Sequence, residues 1–269
     1  MEGRGVESDV DWAPILGPLR EMDERVAASR WSAMTRAVFD YAPRGLRLRP
    51  ECSPDDLPFD TIPVDWFPRA RWLADGSIRP GGFLQHAAAD YYVQDPGSTL
   101  AVALCQIEPG QSVFDACAAP GGKSTAILEQ LAGAGVLLAN EVIHSRVKTL
   151  ETALQRSGFA NWCVMSADLE RLPPVLHQRW DCVLVDAPCS GQSLVGKGRQ
   201  SMSAFAARQV EHCALRQMRI LEAAAGLVRP GGRLVYSTCT FSYAENEEMV
   251  GRFVESHPGW EPFRLPELE

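Results

Sequence analysis

No run of about 20 apolar residues occurs in the 269-residue sequence, so no helix is expected to cross a membrane. The opening MEGRGVESDVDW is acidic and holds no apolar core of the kind a secretory signal requires. Cysteine is not scarce, but the eight, at positions 52, 105, 117, 163, 182, 189, 213 and 239, include no Cys-x-x-Cys pair. Without ligands at such spacing no metal site is expected. Positive charge is in deficit: 26 Lys and Arg face 34 Asp and Glu, a formal charge of −8. That balance argues against broad, nonspecific affinity for nucleic acid and leaves room only for a local basic groove. The rest is ordinary globular composition, 46% hydrophobic and 22% charged, in a chain long enough for one large domain and a small one. Several cysteines lie inside apolar runs, as buried free thiols do in a reducing compartment, so the expected location is cytoplasmic.

The chain is organised around Ser112–Ser124, SVFDACAAPGGKS. Val113 and Phe114 read as a strand ending at Asp115. The small-residue run Ala116–Gly122 reads as a turn, and a helix follows from about Lys123 to Leu131. Strand, glycine-rich turn and helix open a nucleotide-binding α/β domain. Its glycines let the backbone approach a ligand, and the helix N-terminus offers unpaired N–H groups to an anion. A phosphate-binding loop is a near miss. Gly122-Lys123-Ser124 fits, but Cys117 stands where the first glycine belongs, and Pro120 removes an amide from the wrap.

Upstream, residues 1–20 carry little signal and read as a loose start. Met22, Val26, Trp31, Met34 and Val38 recur near helical spacing, and Leu46–Pro50 reads as a short strand. Arg30, Arg36, Arg44, Arg47 and Arg49 form the best candidate for a nucleic-acid-facing patch, although each alone reads as a solvated surface group. Residues 51–75 read as an irregular connector anchored by Trp66, Phe67 and Trp72. Ser98 is placed to cap a helix over Thr99–Gln106 whose Leu100, Val102, Ala103 and Leu104 pack on the sheet.

Downstream, strands over 135–141, 162–167, 181–186 and 233–237, the last after a Pro230-Gly-Gly turn, alternate with helices over 144–157 and about 204–228. That alternation predicts a doubly wound parallel sheet. Ligands in such sheets sit beyond the carboxyl ends of the strands. Those ends carry Asp115, Glu141, Asp168, Asp186 and Cys239. Glu141, about 20 residues past the glycine turn, suits the ribose hydroxyls of an adenosine-containing cofactor. Asp168 suits the adenine amino group, with helix capping as its plain alternative. Ser242 and Glu245 have the spacing of a capping box for the last helix. The helix over 204–228 places Val210, Ala214, Met218, Leu221, Ala225 and Val228 on one stripe; Lys197, Arg199, Arg208, Arg216 and Arg219 lie around it.

Taken together, DACAAPGGK, the Tyr91–Ser98 stretch before it, Asp186-Ala-Pro-Cys189-Ser-Gly, and Thr238-Cys239 followed by Glu245-Asn-Glu resemble the RNA cytosine-5 methyltransferases of the Sun/nucleolar-protein type over about residues 94–254. The resemblance implies a Rossmann-like class I methyltransferase sheet over 91–269, with a small α+β N-terminal module over 21–90 that holds RNA. S-adenosylmethionine is the implied cofactor, bound by Cys117, Ala118, Ala119, Pro120, Gly121, Gly122, Lys123, Glu141, Arg146, Asp168 and Asp186. Cys239 is the implied nucleophile at carbon 6 of cytosine, and Cys189 assists release. Asp186 holds the edge of the base, and Lys123 orients the base and lowers the thiol pKa. Ribosomal or transfer RNA is the implied partner and a monomer the expected state. Two departures stand out. Gln-Ser-Leu-Val-Gly-Lys-Gly-Arg follows DAPCSG in place of the family's further Gly and arginine-rich run. The sequence also stops at Glu269, before the family's antiparallel strand pair, which would leave the fifth strand an open edge, bare or completed by a partner. Rival readings are a methyltransferase acting on protein or small molecules, which needs neither cysteine, and a non-enzymatic cofactor-binding RNA scaffold.

Overall fold

The structure, a computed structural model, describes residues 44–195 and 197–263. The expected loose start, the expected helix over 21–41, and Arg30 and Arg36 lie outside the described residues. The described chain divides into two compact units, one of 44–188, 217–237 and 253–263, the other of 189–216 and 238–252.

The larger unit holds two sheets. The first is antiparallel, with β1 (Gly45–Leu48), β2 (Thr61–Pro63), β3 (Ala70–Leu73) and β4 (Tyr91–Val93) in the order β2-β3-β1-β4. β4 lies past residue 90 and yet pairs with β1, through Leu46↔Val93 and Leu48↔Tyr91. The second sheet is parallel: β5 (Ser112–Asp115), β6 (Val136–Asn140), β7 (Trp162–Met165), β8 (Trp180–Asp186) and β9 (Val228–Ser237), ordered β7-β6-β5-β8-β9. The switch point falls between β5 and β8, so the turn after β5 opens at the crevice where doubly wound sheets take their ligands.

Alternate residues of these strands enter two cores, which is why they read as nearly continuous apolar runs. Val113, Leu137, Ala139, Cys182 and Leu184 pack with α2 (Leu100–Cys105), α3 (Gly122–Leu131) and α4 (His144–Arg156); Phe114, Val183 and Val185 pack on the other face with Leu169, Leu172, Ala224 and Leu227. The short α1 (Leu84–Ala88) precedes β4, α5 (Ala207–Ala225) precedes β9, and α6 (Glu247–Ser256) follows it. Among the described residues no strand follows β9, which is an edge of its sheet.

Four local expectations need correction. Ser98 does not cap α2, whose start carries no side-chain cap; Asp95 caps the 96–99 turn before it, accepting from the Gly97 N–H at 2.9 Å, and Ser98 Oγ donates to the Asp95 carbonyl. In α2 the buried residues are Ala101, Val102 and Cys105, while Leu100 is exposed. Pro230-Gly-Gly does not precede the fifth strand but bulges inside it. Trp180 pairs with Val228 and Cys182 with Arg233, so four residues of β9 oppose one of β8. The stripe on α5 is offset from the expected one: Cys213, Gln217, Leu221 and Ala224 are buried, and Val210, Ala214 and Met218 only half so.

The fifth correction is the largest. Arg47 faces neither solvent nor a ligand; it is 1% exposed. Leu46 and Leu48 pack into the cluster of the antiparallel sheet, so Arg47 between them points to the opposite face, towards α3. Its Nε and Nη2 donate to the two Glu129 oxygens at 2.8 and 3.1 Å, Nη2 also to Thr125 Oγ1 at 2.7 Å, and Nη1 to the Gly122 carbonyl at 2.8 Å and to Gln94 Oε1. All five guanidinium N–H groups are thereby satisfied. Removing one member strands a buried charge, so Arg47→Ala should lower the urea-unfolding free energy by about 3–5 kcal/mol. The paired change Arg47→Met with Glu129→Leu should recover most of that loss, because neither charge is then buried.

Candidate active site

The turn after β5 is shaped by backbone contacts. Ala116 N–H donates to the Leu184 carbonyl, Ala118 N–H to Asn140 and Gly121 N–H to Ala118, each at 2.8 Å. Gly121 has φ +108°, and a Cβ there would lie 2.7 Å from the Ala153 side chain, so only glycine lets α3 pass this close to α4. No side chain caps the N-terminus of α3. Its first-turn N–H groups therefore keep the capacity to bind a carboxylate or phosphate. Asn140, which the motif reading passed over, fastens the turn from behind. Its Nδ2 donates to the Ala116 and Ala167 carbonyls, and its Oδ1 accepts from Ala167 N–H. The one available signal was a polar side chain ending an apolar strand.

The strand-end carboxylates are held in different ways. Asp115 is fully buried and accepts from Ser124 Oγ at 2.6 Å. Burial pushes its pKa up to about 7; nearby Asp186 adds to the rise, while the Ser124 hydroxyl, Lys123 and the Cys117 N–H oppose it. Asp186 pairs with Lys123 Nζ at 2.6 Å through one oxygen and accepts from Ser237 Oγ at 2.9 Å through the other. Glu141 is 3% exposed, pairs with Arg146 at 3.1 Å and accepts from Ile143 N–H; Arg146 also donates to the Ala119 carbonyl. Arg146 thus links the β6 carboxylate to the turn. Asp168 is half exposed and caps the 169–171 turn through Glu170 N–H. The Cys117 thiol is pushed well up by burial and by Asp115, Asp186 and Glu141, which disfavours its thiolate.

In the smaller unit, two loops that are distant in sequence lie side by side. Cys189 Sγ and Cys239 Sγ are 2.9 Å apart across 50 residues of chain, and Cys239 N–H points at Cys189 Sγ at 3.2 Å. Ser193 donates through N–H and Oγ to the Cys239 carbonyl, and Phe241 N–H donates to Gln192 Oε1. The Cys189 thiol is pushed up by its contact with Cys239 first and by burial second; Cys239 is the exposed member. Here the expected capping box fails. The Ser242 side chain makes no cap bond, and Glu245 is fully buried, accepting from Ser190 N–H at 2.9 Å and Ser190 Oγ at 2.5 Å. Periodicity and cap spacing gave no sign of this tie, since it joins residues 55 apart.

A parallel sheet of this order, with an uncapped glycine turn after its first strand and a carboxylate at or just past the ends of the next three, defines a Rossmann-like methyltransferase domain. More narrowly, the chain belongs to the 16S rRNA methyltransferase RsmB/F family, whose pattern matches residues 102–268. It is 36% identical over 202 residues to the ribosomal RNA small subunit methyltransferase F of Erwinia tasmaniensis, covering 73% of this chain and 42% of that protein. Its likeness to the protein of that name from Aeromonas hydrophila is 36% over 247 residues, 87% of this chain and 50% of that one. The chain therefore spans two-fifths to half the length of these curated relatives. The fold matches a methyltransferase homologue from Pyrococcus horikoshii with a TM-score of 0.74 at 23% identity, over 91% of this chain and 83% of that chain. The donor set fits S-adenosylmethionine: uncapped amides at the start of α3, a turn without Cβ atoms at Gly121 and Gly122, and acceptors at Glu141 and Asp168.

The raised pKa of Asp115 has a stability consequence. Folded, it holds its proton to about pH 7, whereas an unfolded Asp releases it near pH 3.9. Between those values the folded state binds the extra proton, so stability is full below the lower value and falls as pH rises through the upper. Asp115→Asn keeps an acceptor for Ser124 and should flatten this slope, gaining on the parent from about pH 4 to 7 by an amount on the order of a few kcal/mol. Parallel urea-unfolding curves across that range would show that Asp115 is not the group responsible.

Proposed function

We propose that the chain methylates carbon 5 of cytosine in RNA, ribosomal RNA by the names of its relatives, with S-adenosylmethionine as methyl donor and Cys239 as nucleophile. The observation that carries this reading is the pair of sulfurs 2.9 Å apart on loops 50 residues distant. A methyltransferase acting on a protein or small molecule has no use for two apposed thiols.

When bound, the cofactor supplies a methyl group on a positively charged sulfur. Carbon 5 of cytosine is too weak a nucleophile to accept it unaided. Cys239, the exposed thiol of the pair, adds as thiolate to carbon 6, and the displaced electron pair makes carbon 5 enamine-like. Asp186, fixed by Lys123 and Ser237, holds the N3 and amino edge of the base as charge develops there. After transfer a base takes the proton from carbon 5, the electron pair of that bond re-forms the 5,6 double bond, the carbon–sulfur bond breaks and Cys239 leaves as thiolate. Cys189 assists that release. The base must be unstacked to be attacked on its face. The antiparallel sheet, with Arg44 and Arg49 at the ends of β1, belongs to the RNA-holding module. We place the enzyme in the cytoplasm as a monomer.

Expression of Cys189→Ala should yield an RNase-sensitive, slow-migrating band on a denaturing gel, absent from Cys239→Ala and from the double variant. Sequencing the trapped RNA then identifies the target. A folded, cofactor-binding Cys189→Ala that traps no RNA would sink the covalent mechanism.

A further inference from the structure

Glu245 lies on the 243–245 turn just before α6, fully buried, and reaches Ser190, the residue next to Cys189. Its two oxygens take the Ser190 N–H at 2.9 Å and the Ser190 hydroxyl at 2.5 Å. A hydroxyl has one proton to give. With the Ser190 proton committed to the carboxylate, the 2.8 Å contact between Ser190 Oγ and Thr240 Oγ1 must be a bond donated by Thr240. Thr240 is next to Cys239. The chain of donation therefore runs Thr240 to Ser190 to Glu245, and it ties the residue after one cysteine to the residue after the other. Ser190 is 0% and Thr240 8% exposed, so no water competes for these bonds.

The Cys239 loop has a second support. Thr238 donates to Asn246 Oδ1 at 2.6 Å, and Asn246 Nδ2 donates to the Thr240 and Ser242 carbonyls at 3.1 and 2.9 Å. Asn246 shapes that loop from within, whereas Glu245 reaches across to the other. We infer that Glu245 is a positioning residue: acting through Ser190, it sets the distance between the Cys189 and Cys239 sulfurs and so governs the release step more than the attack. The role rests on the reading of function above, but the placement it asserts can be measured without RNA.

Glu245→Gln is the first test. An amide offers one acceptor atom where the carboxylate offers two, so one of the Ser190 donors loses its partner. Ser190→Ala is the second; it keeps the carboxylate and the backbone bond and removes only the hydroxyl relay. Thiol spacing is read in RNA-free protein by bridging with dibromobimane, with Cys239→Ala as the unbridged control and circular dichroism and cofactor binding to confirm folding. Both variants should bridge Cys189 to Cys239 several-fold more slowly than the parent. With RNA, covalent adduct should form at a rate near the parent's but persist, while turnover falls by up to about 100-fold, the scale of a 1 Å misplacement. Unchanged bridging in both variants overturns the inference, as does an equal fall in adduct formation and release. If Cys189→Ala traps no RNA, the reading of function fails, whereas the bridging rates still decide whether Glu245 sets the thiol pair.

Discussion

The buried Arg47 guanidinium is the constraint on which the larger unit depends. A charge taken out of water is tolerable only when every donor finds an acceptor. Here the acceptors come from three places: Glu129 and Thr125 on α3, the Gly122 carbonyl at the start of that helix, and Gln94 just past β4. One side chain therefore fixes the antiparallel sheet to the helix whose first turn forms the ligand-facing amides. Three of those acceptors lie on the first two turns of α3, so the same interaction that joins the sheets also holds the glycine turn in register with β5. Gly121 cooperates from the far side, where the absence of a Cβ lets α3 settle against α4.

Around that turn the structure separates two kinds of carboxylate. Asp115 is buried and works as a hydrogen-bonding strut beneath Ser124; Asp186 keeps a cation and a hydroxyl and remains partly open. The sequence offers both as Asp at a strand end, and only packing distinguishes them. The cysteines divide in the same way. Cys105 and Cys182 are buried in the core, and Cys117 is pushed up by burial and the neighbouring carboxylates, while Cys239 is exposed with a sulfur partner.

The parallel strands and their direction were legible because both faces of that sheet are covered, which turns each strand into an apolar run with a polar tip; their order in the sheet was not read. The candidate residues at those tips were legible for the same reason. What escaped was whatever depends on contacts across sequence. Arg47 looked like a surface arginine because its partner lies 82 residues on, and nothing local marks Glu129 as buried. Glu245 sits at the spacing of a capping box, and its carboxylate turned instead to Ser190. Asp95 caps the proline-led 96–99 turn that precedes α2, where the Gly97 amide takes its side chain, and α2 follows that turn with no side-chain cap of its own. Cap rules describe which local bond is available, and a buried unsatisfied donor elsewhere can outbid it.

The seam between the two cysteine loops also limits which substitutions this chain can accept. Residues 189, 190, 192 and 193 on one side meet 239, 240, 241 and 245 on the other through side chains as well as backbone. A substitution at Ser190, Thr240 or Glu245 leaves a buried group on the other side without its bond, so a single change there costs stability that a compensated pair would restore. The two loops therefore respond to substitution as one unit. Grafting the Cys239 loop of a divergent relative onto this scaffold requires its Cys189 loop to travel with it.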